Sequence, residues 1–118
     1  MARLDMYVNY ELKASFRLDD NEVMLGREAE CAVRIPDGKV SRKHAVIKFL
    51  DGERIIENLG VNGTKVNGVD VDAPSVLKAG DAIFIANYIL VYQPDEEVEQ
   101  DLDGTTIINR AVPKNLVL

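Results

Sequence analysis

A chain of 118 residues is long enough for one ordinary domain and too short for two well-buried ones. Its 47% apolar content suits a folded globular protein, and no run of about eighteen apolar residues exists to form a membrane-spanning helix. A net charge of −6 argues against a nucleic-acid partner, and Cys31 and His44, each the only residue of its type, exclude an internal disulfide and a zinc site of soft ligands.

The periodicity is that of strands. Residues 7–12 alternate with aromatic positions, and residues 13–18 alternate again until Asp19-Asp20-Asn21 breaks the pattern. Residues 22–25 form a short apolar run ending at Gly26, and residues 32–35 stop at the turn Pro36-Asp37-Gly38. Residues 45–50 and 53–57 flank Asp51-Gly52, a strong hairpin signal. Asn62-Gly63 and Asn67-Gly68 turn on either side of the short run 64–66, and residues 69–71 continue beyond them. After the turn Ala79-Gly80-Asp81, residues 82–86 and 88–92 read as a closing hairpin around Asn87. Many short strands between Gly, Asn and Asp turns predict an all-β sandwich or barrel, and no helix of ten residues is predicted.

Charge divides the chain. From Pro94 onward, Asp95, Glu96, Glu97, Glu99, Asp101 and Asp103 stand against Arg110 and Lys114, a net of −4 that leaves −2 for residues 1–93. Residues 1–93 are expected to form the folded domain. Residues 94–118 are expected to be an acidic linker and tail, with too little apolar area to offset the entropy of ordering, leading toward a further domain. Within the body, residues 27–48 hold six bases against three acids, a net of +3. That concentration suits a small anionic ligand better than a polyanion. The absence of a basic and apolar leader and of cysteine pairs leads to the expectation of a reducing, cytoplasmic location.

Four motifs in order, Leu25-Gly26-Arg27, Ser41-Arg42-Lys43-His44, Asn62-Gly63-Thr64 and Val66-Asn67-Gly68, resemble the forkhead-associated (FHA) domain, over roughly residues 5–93. The resemblance implies a β-sandwich of about eleven short strands whose loops at one end bind phosphothreonine peptides. It implies no enzyme activity, no cofactor and no metal. Gly26, Arg27, Ser41, His44, Asn62 and Gly63 match the family motif. By the resemblance, Arg27 and Ser41 touch phosphate, Arg42 adds a polar contact, Asn62 holds the peptide backbone, and His44 supports the loops with Gly26 and Gly63. Lys39 falls near the position that reads the third residue after the phosphothreonine. Val61 departs from the family, which usually has Ser or Thr there, so one donor is lost and affinity or peptide preference shifts.

The chemistry stands beside the resemblance. A phosphothreonine carries nearly two negative charges and three acceptor oxygens. Arg offers a planar fork, Ser a hydroxyl donor, Asn both a donor and an acceptor, and Gly26 and Gly63 let the backbone turn tightly beside those groups. Ser41 and His44 could be read as nucleophile and base, but their spacing assembles no triad. Thr105-Thr106 resembles the double-threonine kinase sites on the tails of some FHA proteins, so the tail is expected either to engage this domain's site, in the same or a neighbouring copy, or to be plain linker. The expected partner is a phosphothreonine protein, a Ser/Thr kinase or its substrate. The alternative is a phosphate-independent scaffold with the same fold. No nucleic acid and no membrane are expected.

Overall fold

The computed structural model describes residues 2–94. In chain order the strands are β1 (Ala2–Val8), β2 (Glu11–Leu18), β3 (Val23–Gly26), β4 (Val33–Arg34), β5 (Ala45–Leu50) and β6 (Glu53–Asn58). They continue with β7 (Lys65–Val66), β8 (Val69–Asp70), β9 (Ser75–Val76), β10 (Ala82–Ile85) and β11 (Tyr88–Gln93). Among the described residues there is no helix, and none therefore long and apolar enough to cross a membrane. Eleven strands in two sheets make the all-β sandwich that the sequence predicts.

Four two-residue turns set the registers. Asp51-Gly52 lies between the pair Leu50–Glu53, and Asn67-Gly68 between Val66 and Val69. Asp51, Gly52, Asn67 and Gly68 all have positive φ, the conformation whose twist matches the flanking strands. Ala86-Asn87 closes β10 onto β11 with positive φ at Ala86 alone, 54°. The fourth turn corrects the sequence reading. Residues 7–12 are not one strand, because Asn9 and Tyr10, at φ 53° and 66°, turn the chain between β1 and β2. Residues 32–35 also shorten to the two residues of β4, which pairs parallel with β3.

One sheet has the order β2-β1-β11-β10-β7-β8, the other β4-β3-β5-β6-β9. Alternation sends Leu4, Met6, Leu18, Ile83, Ile85, Leu90 and Tyr92 inward from the first sheet. Val23, Leu25, Val33, Ala45, Ile47 and Ile56 face them from the second. Each fully buried Leu or Ile contributes about 1.5–3 kcal/mol by leaving water. The pairings also fix direction. β3, β6 and β10 run toward one end of the sandwich, where the loops after β3, before β5 and after β6 gather. Arg3 pairs with Gln93, so the start of β1 and the end of β11 lie at the opposite end.

Candidate functional site

Three loops converge at one end: residues 27–32 after β3, 35–44 before β5, and 59–64 after β6. Backbone bonds stitch them together. Arg27 N–H donates to Ser41 O at 3.0 Å, and Glu28 N–H to Arg42 O at 3.3 Å. His44 N–H donates to Leu25 O and Leu59 N–H to His44 O, each at 2.8 Å. Residues 41–44 thus lie as a strip between the end of β3 and the start of the third loop.

His44, at 0% exposure, is the bolt through this assembly. Its Nδ1 accepts the Ser41 N–H at 2.9 Å, which leaves the ring proton on Nε2, 2.8 Å from Gly63 O as donor. One imidazole therefore ties the Ser41 loop to the Asn62 loop. Gly60 lies flat against the ring, since a Cβ there would stand 2.6 Å from Nδ1. Asn58 organises the same loop: Gly60 N–H and the Thr64 hydroxyl both donate to its Oδ1, at 3.2 and 2.8 Å, and its amide donates to Gly60 O at 3.1 Å.

The polar side chains of the motif sit on this frame. Arg27 is exposed, and its Nε donates to Val40 O at 2.9 Å. That bond fixes the plane of the guanidinium while its two terminal amino groups make no bond to any described residue. Ser41 Oγ accepts the Val61 N–H at 3.2 Å, so the hydroxyl hydrogen remains available to a ligand. Asn62 donates from Nδ2 to Lys39 O at 2.8 Å, which leaves its carbonyl oxygen and one amide hydrogen open. Lys39 caps its own turn through a bond from its N–H to Asp37 Oδ1 at 2.8 Å. Arg42 and Lys43 are exposed, and the Val61 side chain is 94% exposed beside them.

The two motif glycines act differently. Gly63 has φ +81°, a backbone state that favours glycine. Gly26 has ordinary φ; it is required because a Cβ would overlap the Arg42 carbonyl oxygen. Its role is close approach of two backbones and not the tight turn that the sequence reading assigns to it. Arg27, Ser41, Arg42, Asn62, Lys39, Val61, Gly26, His44 and Gly63 all belong to this one end. Thr105 and Thr106 lie outside the described residues.

Sequence reasoning missed Asn58 and Gly60, and it named Thr64 in a motif without giving it a role. The stretch Asn58-Leu59-Gly60-Val61-Asn62-Gly63-Thr64 is dense in turn formers, and that density is the signal that the whole loop is specified. It also missed the structural place of Cys31, which is buried behind the site with its thiol donating to Arg42 O at 3.3 Å. Burial pushes its pKa up, and the nearby Glu28 and Glu30 charges add to the rise, so the thiol stays protonated at neutral pH.

Electrostatically the site is unbalanced. Arg3, Lys13, Lys48, Arg54 and Lys65 each pair with a carboxylate. Arg27, Arg34, Lys39, Arg42 and Lys43 have no acidic partner among the described residues; Arg17 and Lys78 also have none but lie outside the three loops. Two fork-shaped or hydroxyl donors on stitched loops, amid a net positive charge, can hold a tetrahedral anion. Among the described residues no cluster of three His, Cys, Asp or Glu side chains could hold a metal.

The comparisons with known proteins agree with this arrangement. A family model described as the FHA domain matches residues 23–86, more than half of the chain. The chain is 37% identical over 81 residues to proliferation marker protein Ki-67 of Mus musculus, covering 68% of this chain and 2% of that protein. It is 34% identical over 92 residues to the glycogen accumulation regulator GarA of Mycobacterium tuberculosis, covering 77% and 56%. The chain thus spans a small part of the first relative and about half of the second. Mycobacterium tuberculosis EmbR, solved in complex with a low affinity phosphopeptide, matches at 25% identity with a TM-score of 0.71, over 78% of this chain and 24% of that one. Motif, loop geometry, sandwich and family match coincide: the chain belongs to the FHA domain family.

Proposed function

We propose that this domain is a phosphothreonine-dependent peptide-binding module of Ser/Thr kinase signalling, cytoplasmic and without enzymatic activity. One observation carries the reading. The terminal amino groups of Arg27 are unengaged on a guanidinium already anchored to Val40 O, and the Ser41 hydroxyl, on the loop bonded to Arg27's own backbone, has its hydrogen free to donate. Arg27 would take two phosphate oxygens and Ser41 a third. Arg42 adds charge, Asn62 clamps the peptide backbone through its open carbonyl and amide hydrogen, and Lys39 and Val61 border the path of the flanking residues. The similarity to EmbR, solved in complex with a phosphopeptide, supports the same chemistry. Charge-assisted hydrogen bonds contribute about 1.5–3 kcal/mol each. After association costs, two or three of them give micromolar affinity, about −8 kcal/mol. Phosphorylation at Thr105 or Thr106 would supply a ligand for this site within the protein or between copies.

Calorimetric titration with one peptide in phosphorylated and unphosphorylated form tests the reading. The phosphopeptide binds and the other does not. Arg27→Ala weakens phosphopeptide binding by about 30-fold or more, while the melting temperature changes by only a few degrees because the side chain is exposed. The exposed apolar Val61, where the family usually has a hydroxyl, favours one second reading, a scaffold that ignores phosphate. Equal affinity for the two peptides would establish that scaffold and end the phosphothreonine reading.

A further inference from the structure

Arg34 extends the phosphate-facing chemistry beyond the motif. It is the last residue of β4, paired with Gly26 across the parallel ladder, so it stands beside the residue that precedes Arg27. Val33 and Ile35 on either side of it are fully buried, which sends the Arg34 side chain outward. Its Nε donates to the Arg27 carbonyl oxygen at 3.1 Å. The bond repeats the device seen at Arg27: a backbone carbonyl takes Nε and leaves both terminal amino groups of the fork to solvent. No carboxylate among the described residues pairs with either guanidinium, although Glu28 and Glu30 are on the intervening loop. Two arginines anchored in this way, with Lys39, Arg42 and Lys43 also unpaired, are more positive charge than one phosphate requires. Neighbouring like charges without counter-ions repel, and that repulsion is relieved when an anion with more than one charged group binds.

From this geometry we infer a second anion subsite at Arg34. It takes a carboxylate or a second phosphate on the same peptide that places its phosphothreonine at Arg27 and Ser41. Arg34 is then a specificity-determining residue: it selects acidic or doubly phosphorylated peptides from among phosphothreonine peptides. The inference rests on the phosphothreonine reading and deepens it. A fork fixed through Nε loses little freedom on pairing, which favours bidentate contact with either group.

The test uses the intact chain and fluorescence anisotropy with one peptide series. The series comprises the unphosphorylated peptide, the phosphothreonine peptide with neutral flanks, and the phosphothreonine peptide with a Glu moved one position at a time along it. A last set replaces that Glu by phosphoserine. The wild type prefers one Glu position over neutral flanks by about fivefold, and phosphoserine there by at least as much. Arg34→Ala removes that preference and leaves the affinity for the neutral-flank phosphopeptide within about twofold. Arg34→Glu reverses the preference toward a peptide with Lys at the same position, an outcome that a merely structural arginine would not produce. Equal loss for neutral and acidic peptides in Arg34→Ala, or a wild type that prefers neither Glu nor phosphoserine at any position, overturns the subsite. Binding of the unphosphorylated peptide as tight as the phosphorylated one overturns instead the reading on which it rests, so the two failures are distinct. A gain with phosphoserine but not with Glu identifies the ligand as a doubly phosphorylated segment, and an equal gain identifies general acidity.

Discussion

Gly60 shows how far one atom can matter to a surface site. It donates from its backbone to Asn58 Oδ1 and presents bare Cα to the His44 ring. A methyl group there would stand 2.6–2.8 Å from three ring atoms, and the ring cannot retreat, because both nitrogens are bonded and the residue is fully buried. Either the third loop moves outward or the imidazole tilts, and in each case the bond to Ser41 N–H or to Gly63 O lengthens. Gly60→Ala is therefore expected to destabilise the domain by about 1–3 kcal/mol in urea denaturation. It also weakens phosphopeptide binding, although residue 60 never meets the ligand. Full stability with wild-type binding would show that the loops tolerate the displacement and that His44 is not their bolt. The same reasoning separates Gly26 from Gly63, of which the first spares a collision with Arg42 O and the second supplies a positive φ.

At the level of elements, the end opposite the site has its own anchor, Arg54 on β6. This buried arginine donates to Asp19 O at 2.7 Å, lies over the Phe49 ring at 4.8 Å, and is 3.9 Å from Asp20. It holds the loop between β2 and β3 against the β5–β6 hairpin. Arg54→Ala leaves Asp19 O without its partner and removes packing from Phe49, at a cost of about 1–3 kcal/mol. Since the site is at the other end of β6, phosphopeptide affinity stays unchanged, so the paired measurements of stability and binding distinguish the two ends. The sequence showed these elements unevenly, for physical reasons. Asp51-Gly52 and Asn67-Gly68 are legible because those residues accept positive φ at little cost. Asn9-Tyr10 is not, because Tyr10 adopts φ 66° against its own preference and sits 92% exposed at the tip. The alternation of Ala2, Leu4 and Met6 ran unnoticed into that unmarked turn. β9, two residues long, is held by pairing with β6 and has no period to read. The motif side chains were legible because phosphate chemistry restricts residue type. Arg34 and Asn58 were not, because their meaning lies in bonds to distant backbone.

For the whole molecule, the decisive fact is that charge and chain direction are both segregated. Residues 27–44 carry a net +2 at one end, and β11 delivers the chain to the opposite end, from which residues 94–118 continue with a net −4. Thr105 follows Pro94 by eleven residues, a stretch that spans at most about 36–40 Å. The six residues of β11 cover about 20 Å. On these lengths a phosphorylated Thr105 would come within reach of the site on its own domain, and intramolecular attachment would benefit from an effective concentration near millimolar, well above a micromolar dissociation constant. Phosphorylating Thr105 and Thr106 is expected to lower the affinity for an added phosphothreonine peptide by about tenfold or more. The loss should not change with protein concentration, and it should vanish in Thr105→Ala/Thr106→Ala and after phosphatase. Gel filtration gives the opposing outcome its own signature, because linkage between copies grows with concentration while closure within one chain does not. Unchanged peptide affinity in the fully phosphorylated chain would separate the tail from the site altogether. It would leave the positive end of the sandwich to ligands from other proteins.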